Sequence, residues 1–136
     1  MQGEGPPLLY LHGGGGWIDS ASTLIPFLAT QFRVNEMEQM GHGRTADDVD
    51  RPFHYHDMVE DTIELMRQLG IESATVLGYS DGRNIGLDMA IQQGTPARWR
   101  MRACCHRRRI WGLRLQPHPR FSPAAGAAVG VARVGG

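Results

Sequence analysis

Gly78-Tyr79-Ser80-Asp81-Gly82 sets a serine between two glycines, directly after the β-branched run Ala74-Thr75-Val76-Leu77. An apolar segment carrying Ile85, Leu87, Met89, Ala90 and Ile91 follows it. A serine hydroxyl attacks a carbonyl when it is exposed, is deprotonated by a base, and is faced by N–H donors that hold the oxyanion. A strand–turn–helix setting supplies the exposure and the donors. Its strained turn lifts the hydroxyl off the end of the sheet, and glycines on either side avoid collision there. The helix N-terminus then faces the developing charge with unpaired N–H groups, that of Asp81 first. Ser80 is therefore the candidate nucleophile and Asp81 a candidate oxyanion donor. The competing reading is a structural turn with a capping serine.

His12-Gly13-Gly14-Gly15-Gly16, after the run Leu8-Leu9-Tyr10-Leu11, could supply the second donor, because a glycine backbone approaches a substrate closely. Gly14 is the first candidate and Gly15 the second; the alternative is a merely flexible loop. A phosphate-cradling role is weaker, since the Gly-Lys-Ser/Thr ending of a P-loop is absent. Tyr79, Arg83 and His42 are expected near the site, with His42 shaping its loop and His12 structural. Arg83, just past the elbow, could crowd the helix–sheet contact or reach a carboxylate. His54-Tyr55-His56-Asp57 has metal-like spacing but no second ligand cluster, and Asp57 suits a first helical turn. No metal or cofactor is expected.

The elements that must position these residues alternate. Leu8–Leu11 reads as a buried strand. Asp19 or Ser20 can cap a following helix whose stripe is Leu24, Ile25, Leu28 and Phe32, with Pro26 in its early turns. Residues 32–37 form a weaker strand, and 40–45 a turn-rich connection. The clearest helix spans about 56–69, with Met58, Val59, Ile63, Met66 and Leu69 on one face and Gly70 as its stop. Strand–helix alternation of this kind predicts an α/β fold with a doubly wound parallel sheet.

Three motifs together carry a resemblance: Pro6-Pro7-Leu8-Leu9-Tyr10-Leu11-His12-Gly13-Gly14, Gly41-His42-Gly43-Arg44-Thr45 and Gly78-Tyr79-Ser80-Asp81-Gly82. In order and spacing they resemble the α/β-hydrolase superfamily, over roughly residues 3–93. The Ser-Asp-Gly elbow is most similar to the branch that includes valacyclovir hydrolase and related small esterases and lactonases. The resemblance implies an eight-stranded core, of which this chain holds roughly the third to fifth strands. It also implies a Ser–His–Asp triad, acyl-enzyme chemistry on a small acyl substrate, and no cofactor. Arg83 departs from it, standing where the branch usually has another glycine. The family's acid and histidine are expected later than this chain's regular part, so the chain reads as a truncated, weak or inactive hydrolase. His106 and His118 are not expected to replace the missing base.

The 136 residues suit one domain. No apolar run reaches the ~18 residues of a membrane span, and the start lacks the marks of a secretory signal, so a cytoplasmic setting is the expectation. The adjacent Cys104 and Cys105 match neither an ordinary disulfide nor a metal spacing. The formal charge is zero, yet every Asp and Glu lies at or before Asp88, no Lys occurs, and only arginines carry charge from Arg98 on. Residues 1–97 are thus expected to form a partial hydrolase core, and 98–136 an irregular Arg/Ala/Gly-rich tail. That tail reads as a shifted frame of a GC-rich gene, starting near residues 94–98; a disordered basic tail is the alternative. With CGN arginine codons, a one-base shift through Arg98–His106 permits a buried-strand sequence. Two other functions compete: a non-catalytic binding module on the same scaffold, and nucleic-acid binding through the tail. The second is disfavoured by the tail's few aromatics and the acidic body before it.

Overall fold

The computed structural model describes residues 1–92 and 99–101. Expectations that fall on 93–98 and 102–136, including those for the cysteines, His106, His118 and nearly all of the tail, lie outside the described residues. Four strands, β1 (Pro7–Leu11), β2 (Arg33–Met37), β3 (Ala74–Gly78) and β4 (Trp99–Met101), form one sheet in the order β2-β1-β3-β4. All neighbours in it are parallel. Parallel strands need covered faces and crossover connections, and two helices, α2 (Tyr55–Gln68) and α3 (Asp81–Gln92), lead into β3 and follow it.

Two differences from the sequence expectation stand out. Trp99–Met101, assigned above to an irregular tail, is a fourth strand, paired with Ala74–Val76 of β3. Three residues joined through backbone hydrogen bonds show no side-chain alternation by which sequence could reveal them. The helix expected after Asp19 is broken into a 3-10 turn at Ile18–Ala21 and a single α-turn, α1, at Ile25–Leu28. Ser20 does act at the entry, where its Oγ accepts the Trp17 N–H at 3.1 Å. Pro26 occupies the first turn of α1, as expected.

The core is split by the sheet. On one face Leu8, Tyr10, Val34 and Leu77 pack with Ile25 and Leu28. On the other, Leu9, Leu11 and Val76 meet Val59 and Met66 of α2 and Ile85 and Met89 of α3. Strand residues alternate between these clusters because successive side chains point to opposite faces. The α2 stripe differs slightly from expectation: Thr62 is buried, while Leu69 lies past the helix end and is 46% exposed. Gly70 ends the helix at φ +66°, with Ile71 N–H donating to Met66 O at 2.9 Å.

Met66→Ala, which removes a wholly buried side chain, is expected to cost about 2–4 kcal/mol of unfolding free energy in urea titrations. Ile91→Ala, at a position 69% exposed, should stay within about 0.5 kcal/mol of the parent.

Candidate functional site

In a sheet ordered β2-β1-β3-β4, the chain leaves β1 toward one side and returns from β2 to the other. The crevice at such a reversal, beyond the carboxyl ends of the strands, is where α/β sheets hold ligands. Here the ends are those of β1 and β3, followed by His12–Gly16 and Tyr79–Asp81.

Ser80 stands between β3 and α3 with φ +51°, and no other non-glycine among the described residues has positive φ. That backbone costs about 1–2 kcal/mol in an L-residue, so the surroundings must impose it. They do so by close approach. A side chain at Gly78 would run into the Gly82 carbonyl and lie 2.6 Å from the Arg83 N; one at Gly82 would lie 2.6 Å from the His12 carbonyl oxygen and meet that of Leu11. Tyr79 N–H donates to Leu11 O at 3.0 Å, extending the ladder into the turn, while Gly82 and Arg83 N–H close it on Tyr79 O and Ser80 O. Ser80 is exposed. Arg83 is exposed on the first turn of α3, so it does not crowd the helix–sheet contact.

The glycine loop divides its tasks. A Cβ on Gly13 would lie 3.0 Å from both the Ser80 Cβ and the Tyr79 ring, so this glycine, not singled out in the sequence, borders the serine. One on Gly14 would collide with the Asp81 carboxylate. Gly15, at φ +68°, has open space around it. No hydrogen bond among the described residues uses the N–H of Gly14 or Asp81, which leaves both able to donate. Asp81 Oδ1 accepts the Tyr55 hydroxyl at 2.8 Å, and Asn84 Nδ2 donates to that hydroxyl oxygen at 3.3 Å. Neither Tyr55 nor Asn84 was expected near the site. Tyr55 is brought there by the docking of α2 on α3, which spacing does not reveal.

Buried polar groups brace the loops. His12 is 3% exposed; its Nδ1 lies 2.8 Å from Gly13 O and its Nε2 3.1 Å from the Gln39 N–H. Since Nε2 must accept that N–H, Nδ1 is the protonated nitrogen, and the neutral ring is fully engaged as a strut. His42 donates from Nδ1 to Met40 O at 2.8 Å and rests against His12 and Phe53. Both histidines thus hold loop backbone at this end of the sheet. Glu38 was missed. Its nearly buried carboxylate accepts the Ile18 and Arg44 N–H groups and a two-pronged Arg44 guanidinium at 3.1 Å on each arm. A lone Glu after a weak strand carries no signal of this. The Arg44 side chain, then the Arg44 and Ile18 N–H groups, pull the Glu38 pKa down to about 2.

A cavity of about 530 Å³ opens beside this arrangement, walled by Gly13, Gly14, Gln39, His42, Tyr55 and Asp81 among others. Among the described residues no group of three or more His, Cys, Asp and Glu could hold a metal, so the 54–57 spacing is not joined by further ligands. No described helix is long and apolar enough to cross a membrane.

Residues 6–101 match the model of a family described as alpha/beta hydrolase fold. Curated relatives include a Magnesium-chelatase 30 kDa subunit from Rhodobacter capsulatus, 34% identical over 93 residues, which are 68% of this chain and 33% of that protein. A fluoroacetate dehalogenase from Burkholderia sp is 33% identical, over 65% of this chain and 31% of its own. The chain therefore spans about a third of the length of these curated relatives. A solved 2-hydroxy-6-oxo-6-phenylhexa-2,4-dienoate hydrolase from Rhodococcus sp. superposes with a TM-score of 0.64 at 28% identity, covering 73% of this chain and 38% of that one.

Glu38 generates a pH prediction. A carboxyl held below its ordinary 4.5 stabilises the fold fully above that value and loses this contribution as pH falls toward about 2. Glu38→Gln should be less stable than the parent at pH 7, and the gap between their urea midpoints should shrink between pH 4.5 and 2. An unchanged gap across that range would show that the pair does not brace the loop.

Proposed function

The chain belongs to the α/β hydrolase fold family, and on that premise we propose that Ser80 is the nucleophile of an acyl hydrolase acting on carboxylic esters, lactones or similar carbonyls. The observation that carries this reading is the one non-glycine with positive φ among the described residues: an exposed serine at φ +51°, at the carboxyl end of β3, bordered by a glycine loop. Names among the relatives range from a chelatase subunit to a dehalogenase, so shared scaffold alone does not choose the chemistry. The residues at the elbow have to.

In the proposed reaction Ser80 Oγ attacks the carbonyl carbon, and its proton passes to a histidine. The Gly14 and Asp81 N–H groups hold the oxyanion, and collapse of the tetrahedral intermediate expels the alcohol and leaves an acyl-enzyme. No histidine among the described residues hydrogen-bonds the Ser80 hydroxyl, and His12 has both nitrogens engaged. A serine without a base to take its proton retains only a small residue of the catalysis, so the described residues by themselves account for slow turnover at most. The same engagement of His12 favours a second reading, in which the cavity captures a ligand without chemistry.

Prolonged exposure to a fluorophosphonate, followed by peptide mass spectrometry, separates the two. A hydrolase site gives one adduct, on the peptide containing Ser80, absent from Ser80→Ala. An adduct distribution that Ser80→Ala leaves unaltered, or no adduct at all, refutes the nucleophile assignment.

A further inference from the structure

We propose that Tyr55 is a positioning residue for the oxyanion donors at the elbow: its hydroxyl holds the Asp81 carboxylate away from the peptide N–H groups that the developing charge would need. The proposal rests on the acyl-hydrolase reading of Ser80 and adds to it a residue from outside the elbow.

Asp81 is the first residue of α3, where unpaired N–H groups attract negative charge. A short acidic side chain at such a place readily bonds to backbone N–H groups of its own turn. In an acyl hydrolase that bond works against the reaction, because the carboxylate would occupy the donors meant for the oxyanion and set a like charge beside it. Here the carboxylate is drawn across to another helix. Its Oδ1 accepts the Tyr55 hydroxyl at 2.8 Å, and its Oδ2 fills the space that a side chain on Gly14 would take. The N–H groups of Gly14 and Asp81 donate to no described residue and so stay able to serve an oxyanion.

The direction of the Tyr55 bond is fixed. A tyrosine hydroxyl has one proton, and Asn84, one turn along α3, donates its Nδ2 to the same oxygen at 3.3 Å. The proton is thereby left for Asp81. Tyr55 is itself the first residue of α2, and that helix is anchored against α3 where Val59 and Met66 share a buried cluster with Ile85 and Met89. Helix packing therefore delivers the hydroxyl to the elbow. A phenyl ring at this position keeps the ring and loses only the proton.

The rate of fluorophosphonate labelling at Ser80, followed by mass spectrometry of the full chain, tests the role in the parent, Tyr55→Phe, Asp81→Asn and the double variant. Tyr55→Phe should label about three- to tenfold more slowly than the parent, the scale of one lost hydrogen bond to a charged group. In the Asp81→Asn background the same substitution should change the rate by less than about twofold, since no charge remains to be held. An unchanged rate in Tyr55→Phe overturns the proposal. So does an equal loss in both backgrounds, the pattern that a purely structural role for Tyr55 would give. Either result leaves the nucleophile assignment standing, whereas a parent chain without any Ser80 adduct removes that assignment and this proposal with it.

Discussion

The start of α3 touches the ends of β1 and β3 with almost no side-chain volume between them. Gly78 and Gly82 make that possible, since a methyl group at either would sit on a backbone carbonyl. With the helix this close, the connection shrinks to two residues, and Ser80 is forced to positive φ. The cost, about 1–2 kcal/mol, is local. It is met by burial further along, where Ile85 and Met89 anchor α3 in the cluster beneath the sheet. A serine on a relaxed loop would choose a cheaper conformation; this one is denied it.

A second constraint follows from where the loops lie. Backbone groups that leave a sheet at its carboxyl end lose their ladder partners, and a crevice partly shielded from water cannot leave them unpaired. His12 and Glu38 meet this need with side chains. His12 ties the exit of β1 to the Gln39 N–H after β2, and Glu38 ties the Gly-His-Gly-Arg turn to Ile18. Gly43, at φ +57°, has to be glycine because a side chain there would run into the Glu38 carboxylate. The motif Gly41-His42-Gly43-Arg44-Thr45 thus serves as a brace, with Thr45 Oγ1 also donating to Glu38 O at 2.8 Å.

Local patterns made the strands at Leu8–Leu11 and Ala74–Leu77, the helix near 56–69 and the elbow legible, because each rests on period, β-branching or a glycine stop. The broken segment at 18–28 misled because its apolar residues keep helical spacing even where the chain turns between Ala21 and Ile25. Strand β4 escaped notice because three residues give no period. Around the site, Ser80, Gly14, Asp81, Tyr79 and His42 were visible from motifs and do gather at one end of the sheet. Tyr55, Asn84, Glu38 and Gln39 were not, since each reaches the site through packing between elements distant in sequence.

Asp81 holds two opposed properties at one position. On the proposed acyl-transfer reading its N–H would meet the developing negative charge, while its own carboxylate is negative. At about 5 Å and an effective dielectric constant of about 20, such a pair repels by roughly 3 kcal/mol, enough to cancel a good oxyanion donor. The geometry separates the two. Tyr55, backed by Asn84, draws the carboxylate toward α2, and the bare backbone of Gly14 leaves room for it there. The helix start can then offer its N–H to the serine side while the charge lies on the cavity side. On the proposed reading the carboxylate is thereby kept away from the bond that Ser80 would attack, while the peptide nitrogen of the same residue stays available to it.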